Sequence, residues 1–423
     1  MVSLSKNRLV YLGGSFFAFL LIFALWSYAG PTLIARDIDF GPLFDQPAPN
    51  LRFDPPEKTF YDDPELAYSL QKPVTNWDEK RRHWLNLHPS FLPGSHDRIV
   101  MVTGSQPEPC EFPAGDHYLL RLFKNKVDYC RIHGCEVFYN NVFLQPKMNS
   151  YWSKYGILKA AMLAHPDAEW MWWVDADAVI TDMEFRHPLE KYRGFNLIVN
   201  GSREEMFVEK SWVGLNAGVF LIRNCQWSLD FMDTWADMGP MGKEYNKWGQ
   251  IEKSIFTDKM FPNSDDQTSL IYLLYKNQEL LNDKVYLETD YIFNGYWVWM
   301  VPKFKHVAET YAEMEKKGKH LRRRHAEKVT GQYAAFRWPY LKDAGMVGNR
   351  SRPFITHFNG CQPCSGNHNP MYKGKDCWDG LVKALNLADN QVLRNYGFIR
   401  SDLLDSDTLM EVPFDYPAEG PFG

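Results

Sequence analysis

Two carboxylates one residue apart, Asp175 and Asp177, close an apolar run, Trp170-Met-Trp-Trp-Val174. In an extended chain residues i and i+2 face the same way, so this spacing lets both side chains converge on one hard cation while Ala176 leaves room. Two further Asp-x-Asp matches, Asp37/Asp39 and Asp405/Asp407, lie among Pro, Ser and Gly near the ends, so only the central copy has the setting of a strand end. Two carboxylates supply part of an octahedral Mg²⁺ or Mn²⁺ shell, which such ions complete with water and substrate phosphate. The chemistry implied is Lewis-acid assistance to a departing diphosphate. The alternative is a solvated turn that holds no metal.

Three other groups carry chemistry. His357, in Phe354-Ile-Thr-His-Phe-Asn-Gly-Cys361, sits at an expected strand end; it is either a hydrogen-bonded structural histidine or a ligand, and imidazole beside two Asp favours Mn²⁺ over Mg²⁺. Asp265-Asp266-Gln267 precedes the apolar run Thr268-Ser-Leu-Ile-Tyr-Leu-Leu274. Helix capping explains one Asp and the second less well, so two acids and an amide are also available for sugar hydroxyls. In Leu215-Asn216-Ala-Gly218, the glycine either permits close approach by a ligand or marks a bulge.

These groups need a scaffold. A strand at Arg98–Ser105, a helix at Tyr118–Ile132, a strand at Cys135–Tyr139 and a helix at Ser150–Ala164 lead into the Trp170 strand. Further strands are expected at Leu197–Asn200, Val219–Arg223 and Val285–Glu288, with helices at Ser228–Ala236 and Asp266–Leu274. Alternating strands and helices predict an α/β fold with a mainly parallel sheet and ligands at the carboxyl ends of its strands. The segment Val307–Lys328 is basic but interleaved with Glu313, Glu315 and Glu327, which reads as a solvated helix face. With a net charge of −5, nothing points to nucleic acid.

The N-terminal stretch Leu9–Ala29 contains no charged residue, and about 20 apolar residues span a bilayer. Lys6 and Arg8 on the near flank, with Asp37 and Asp39 beyond, predict a type II signal-anchor: tail 1–8, membrane span 9–29, Pro-rich lumenal stem 30–76, body 77–423. Seven cysteines leave at least one thiol unpaired or bonded to another chain, which is compatible with homo- or hetero-association. Cys361-x-x-Cys364 with His368 and Cys377 has a spacing compatible with structural zinc, but an oxidising lumen favours disulfides. Asn200 and Asn349 head glycosylation sequons, and a fraction of the 15 Trp residues is available to stack on sugar rings.

Trp170-Met-Trp-Trp-Val-Asp-Ala-Asp-Ala178, Gly214-Leu-Asn-Ala-Gly-Val-Phe-Leu-Ile-Arg223 continuing to Asp233, Ser264-Asp-Asp-Gln-Thr268, Thr356-His-Phe-Asn-Gly-Cys361 and Ala388-Asp-Asn-Gln-Val-Leu393 together resemble plant glycosyltransferase family 34. The resemblance runs from about Asp54 to Pro417. It implies a GT-A (Rossmann-like, nucleotide-sugar-binding) catalytic domain, retention of anomeric configuration, Mn²⁺ and residence in the Golgi membrane, where other glycosyltransferases are expected partners. It also implies Asp175, Asp177 and His357 as metal ligands, and Lys159, Asp175, Asn216 and Gln362 as donor or substrate contacts. Asp265, Asp266 and Gln267 fall at the sugar as the catalytic group, with Gln267 or Asp266 near the anomeric carbon, and retention is open to front-face attack or to an enzyme-bound intermediate on Asp266. Gln362 stands where the xylosyltransferase branch has Lys, and the surrounding block is similar to the galactomannan branch. The expected reaction is therefore α-1,6 transfer of galactose from UDP-galactose to a β-1,4-mannan, with an acceptor groove that includes Trp297 and Trp299. The alternatives are a xyloglucan xylosyltransferase using UDP-xylose and a non-catalytic partner in a Golgi complex. Ala176 departs from the Ser common at that position in the family.

Overall fold

The computed structural model describes residues 72–318, 321, 327, 330–348, 351–404 and 408–412. These belong to the unit Pro55–Gly423. The expected membrane span, nearly all of the stem and Asn349 lie outside the described residues.

The described chain begins with helix α1 (Trp77–Leu87), whose Trp77 is buried and donates its indole N–H to Asn224 Oδ1 at 2.7 Å. Strand β1 (Ile99–Gly104) is followed by α2 (Gly115–His133), which stops where Gly134 turns into the left-handed region at φ 75°. Strand β2 (Glu136–Asn140), α3 (Lys154–Ala164), β3 (Trp170–Val174) and β4 (Ala178–Ile180) follow, then β5 (Leu197–Gly201) and β6 (Leu215–Arg223). Helices α4 (Gln226–Ala236), α5 (Tyr245–Ile255) and α6 (Asp266–Lys276) precede β7 (Val285–Glu288) and β8 (Gly295–Tyr296). Next come α7 (Phe304–Lys317), α8 (Thr330–Asp343), β9 (Ile355–His357) and α9 (Gly374–Leu393), after which Phe398–Arg400 and Leu409–Glu411 pair as a two-stranded antiparallel sheet.

The main sheet has the order β2-β1-β3-β6-β5-β7. It is mixed, where the alternating pattern predicted a mainly parallel one: β2, β1 and β3 are parallel, β5 and β7 are parallel, and β6 runs antiparallel to β3 and β5. The reason lies in the β5–β6 connection, residues 202–214, which holds one short helix, Glu204–Glu209, and no crossover helix to return the chain to the same edge. Strand β3 shows why the sheet is covered on both faces. All five of its residues are buried, and their alternation sends Met171 and Trp173 into one apolar cluster and Trp170, Trp172 and Val174 into the other.

The charged segment after Val307 is not one helix. Helix α7 ends at Gly318, and its apolar side, Val307, Tyr311 and Met314, packs with Leu321, Leu341 and Met346. The odd cysteine is Cys225; the other six form Cys110–Cys364, Cys130–Cys135 and Cys361–Cys377. Cys361 and Cys364 thus pair outward, and the zinc alternative has no thiolates left to use.

Candidate active site

The chain leaves the main sheet at Val174 and enters a second, three-stranded sheet at Ala178, and the residues that make the transfer are Asp175, Ala176 and Asp177. The second sheet has the order β4-β9-β8, with Ala178 opposite His357 in an antiparallel pair. The two carboxylates therefore converge from a turn between sheets, and not from alternation along one strand. The sheet partner supplies the third group. His357 Nε2 lies 3.1 Å from Asp177 Oδ1 and 3.7 Å from Asp175 Oδ2, and one ligand atom from each of the three lies within 4.8 Å of the others.

The neighbours hold this cluster open. Trp173 donates its indole N–H to Asp175 Oδ1 at 2.6 Å, and Gly218 O on β6 accepts the Asp175 N–H at 2.8 Å. Gly218 lies where the β5–β6 register shifts from Val199–Phe220 to Asn200–Asn216, so it marks a bulge, and it also permits a close approach: a Cβ there would stand 2.2 Å from His357 Cε1 and 2.6 Å from Asp175 Oδ2. Burial pushes the imidazole of His357 towards its neutral form, but the charge and hydrogen bond of Asp177, followed by Asp175, outweigh it and hold the pKa above its ordinary value. For Asp177 burial acts upward, and the positive His357 outweighs it to leave the pKa low.

Two buried lysines frame the carboxylates. Lys126 of α2 donates to Ala176 O at 3.2 Å and Ala178 O at 2.9 Å, and its neighbour Asn125 pairs with both backbone groups of Ile180. Side chains of α2 thus take the place of a strand along β4, and burial pushes the Lys126 ammonium down to about 8. Lys154, in the first turn of α3, donates to Asp266 Oδ2 at 2.5 Å and Ala217 O at 2.8 Å and lies 3.8 Å from Asp175 Oδ1. Burial opposes its charge, but Asp175 and Asp266 outweigh that and raise its pKa. Asp266 is buried, which raises its carboxyl to about 6 against the pull of Lys154.

The residues expected at the donor divide accordingly. Asp265 caps α6, accepting from Thr268 N and Thr268 Oγ1, each at 2.8 Å, and also pairs with Lys259. Its carboxylate is occupied by the scaffold, so Asp266 is the acid linked through Lys154 to the cluster. Gln267 Nε2 donates to Trp212 O at 2.9 Å while its Oε1 accepts from Ala217 N at 3.4 Å. Asn216 Oδ1 accepts from Gly218 N at 2.8 Å and Asn294 Nδ2 at 2.6 Å. Lys159 does not join them. Its ammonium donates to Lys72 O at 2.6 Å and lies 3.7 Å from Asp233; five residues along α3 from Lys154 it is rotated by about 140° and serves the other side of the helix. Gln362 is exposed in the disulfide-held loop and accepts from Ser365 Oγ at 2.9 Å. Asn200 lies inside β5 and spends its carboxamide N–H on Glu288 O at 3.1 Å, a poor position for a glycan. Trp297 is 5% exposed and Trp299 66% exposed, so only the second can meet an acceptor.

The family model for the galactosyl transferase GMA12/MNN10 family matches residues 95–368, which spans β1 to β9 and includes every residue of the cluster. The chain belongs to glycosyltransferase family 34. It is 56% identical to glycosyltransferase 6 of Arabidopsis thaliana over 416 residues, covering 98% of this chain and 96% of that protein. To galactomannan galactosyltransferase 1 of Cyamopsis tetragonoloba it is 52% identical over 427 residues, covering 98% and 97%. Among solved structures, a glycosyltransferase involved in glycosylation of the major capsid of PBCV-1 aligns with a TM-score of 0.36 at 13% identity, over 67% of this chain and 98% of that one. The family 34 chain is an enzyme of glycosyl transfer.

Its carboxylate–imidazole cluster fits a divalent cation on structural grounds. The donor set is the one borderline divalent ions take, and the buried Nδ1 of His357 has no hydrogen-bond partner among the described residues. Only a glycine at 218 leaves the space. Sequence reasoning missed Lys126, Lys154 and Asn294. Lys126 had a signal, since it falls in the stripe Leu122, Lys126, Tyr129, Cys130 that an amphipathic helix buries. Lys154 had none, because α3 is buried on nearly every side.

Proposed function

We propose that this glycosyltransferase uses a GT-A site to move galactose from UDP-galactose onto the 6-hydroxyl of mannosyl residues in a β-1,4-mannan, with retention of configuration. The observation that carries the reading is the near full-length identity with the Cyamopsis galactomannan galactosyltransferase. Asp175, Asp177 and His357 would hold Mn²⁺, which supplies Lewis-acid neutralisation of the charge on the departing UDP. Lys154 adds a fixed positive charge between Asp175 and Asp266, preorganised because it is buried and held by hydrogen bonds to Asp266 and Ala217 O. Gln267, its amide fixed by Trp212 and Ala217, and Asn216, fixed by Asn294, orient the sugar.

In the transfer, the acceptor O6–C1 bond forms as the bond from C1 to the phosphate oxygen breaks, on the same face of the ring. The proton of the acceptor hydroxyl passes to the departing phosphate oxygen. Asp266 is tied to Lys154, which suits it to electrostatic support of the positive sugar ring in that step and not to covalent attack. The body lies in the Golgi lumen on a type II anchor, with Asn349 as the glycosylated residue. Purified residues 55–423 assayed with Mn²⁺, UDP-galactose or UDP-xylose, and mannohexaose or cellohexaose test the reading. Galactosyl-mannohexaose is the expected product; transfer confined to UDP-xylose and cellohexaose overturns it.

A further inference from the structure

Beside the cluster, three elements bring aromatic rings to one surface. Tyr296 of β8 is the register partner of His357 on β9, and paired residues of neighbouring strands leave the sheet on the same face. The backbone of Tyr296 therefore runs alongside that of His357, one strand from the carboxylate–imidazole cluster. Its phenol hydrogen-bonds the phenol of Tyr372. The ring of Trp299 meets Tyr296 edge-on, with centroids 5.3 Å apart and planes at 84°, and Met371 continues the surface at 73% exposed. Trp297 lies underneath, stacked on Phe358 at 5.7 Å and meeting Tyr372 edge-on at 4.9 Å.

This surface is built and held. The loop that carries Met371 and Tyr372 is tied by Cys361–Cys377 and by Cys110–Cys364. It turns at Gly360, with φ at 83°, where a Cβ would come within 2.8 Å of Tyr372 Cε2. Yet Trp299 remains two-thirds exposed on top of it. A flat apolar ring rimmed by phenol hydroxyls matches a pyranose, whose ring carbons present a C–H face and whose edge presents hydroxyls.

We propose that Tyr296, Trp299 and Tyr372 form the subsite on which a β-1,4-linked hexopyranose backbone, the acceptor, lies beside the donor site. The subsite rests on the transfer reaction proposed above, and continuity with His357 through the strand register selects this occupant. Trp299 is the stacking residue; Tyr372 positions the Tyr296 phenol.

The test measures calorimetric binding of mannohexaose and cellohexaose to the wild-type lumenal protein and to Trp299→Ala, Trp299→Phe and Trp338→Ala, with acceptor KM, donor KM and melting temperature for each. Trp338, 56% exposed on α8, is the control for loss of a surface tryptophan. Trp299→Ala is expected to weaken the bound hexaose and raise its KM by about tenfold or more, with donor KM and melting temperature unchanged. Trp299→Phe restores most of the binding, and Trp338→Ala changes nothing. Equal acceptor binding by Trp299→Ala and wild type, or an equal loss in Trp338→Ala, overturns the subsite. Should the wild type bind and use only cellohexaose, the mannan reading fails while the Trp299 effect is still read on the hexaose that binds.

Discussion

Gly218→Ala puts one methyl group into the centre of the site. The Cβ would stand 2.2 Å from His357 Cε1 and 2.6 Å from Asp175 Oδ2, whereas carbon contacts settle at about 3.5–4.0 Å. At least about 1.3 Å must be found, and the backbone of β6 cannot supply it. Residue 218 lies where β6 bulges out of its ladder with β5, but its backbone groups are bonded to Asp175 N and Asn216 Oδ1, and β6 is laddered to β3 from Val219 onward. The side chains of His357 and Asp175 must move instead, and both belong to the proposed metal site. A displacement near 1 Å costs about 100-fold in a positioned reaction, or about 2.7 kcal/mol at 1.36 kcal/mol per decade. The assay is Mn²⁺ titration of the purified protein, read as free Mn²⁺ by electron paramagnetic resonance, with turnover and melting temperature in parallel. Gly194→Ala is the control, since nothing lies within 4 Å of its Cβ position. Gly218→Ala is expected to lose metal affinity and turnover while it still folds; wild-type Mn²⁺ affinity in a folded Gly218→Ala protein would refute the reasoning.

Three further outcomes are expected. Lys126→Met leaves Ala176 O and Ala178 O without their buried donor, costing about 1–3 kcal/mol per unsatisfied group; a urea midpoint equal to that of the wild type contradicts this. Glu252 has a fully buried side chain, and burial raises its carboxyl to about 7 against the hydrogen bonds of Ser269 and Ser264. The folded state therefore keeps a proton that the unfolded state releases near the ordinary value of 4.5, so this group lowers stability as pH rises from about 4.5 to 7, and Glu252→Gln is expected to flatten that part of the melting-temperature profile. A profile of unchanged slope contradicts the assignment. Loss of the Cys361–Cys377 bridge by Cys361→Ser with Cys377→Ser opens a loop of sequence separation 16 and costs about 3 kcal/mol, read by denaturant unfolding; stability within error of the wild type contradicts it.

The sequence made the α/β class and most elements legible because buried strands and amphipathic helices have periods of their own. The run at Trp170 is a strand whose two faces enter two cores, and the strand expected at Val285–Glu288 has those bounds. The antiparallel direction of β6 was not legible, because direction depends on what the connection can span and not on the strand's own residues. Asp175, Asp177 and His357 were readable from ligand chemistry, although the turn between sheets that brings them together appears only in three dimensions. The buried charges were the hardest to place. Lys154 and Lys159 share one helix, and which of them faces the carboxylates is settled by packing around α3. The same holds for Trp297 and Trp299, two residues apart, one under Phe358 and the other in solvent.

Mn²⁺ binding to purified residues 55–423, titrated with and without UDP for wild type and Asp177→Asn, tests the central claim most directly. With Asp175, Asp177 and His357 as the site and the diphosphate as the remaining ligand, UDP tightens Mn²⁺ binding in the wild type by about tenfold or more. Asp177→Asn then binds Mn²⁺ weakly under both conditions. Mn²⁺ affinity that is indifferent to UDP, or equal in wild type and Asp177→Asn, would contradict a metal-bound donor at this cluster.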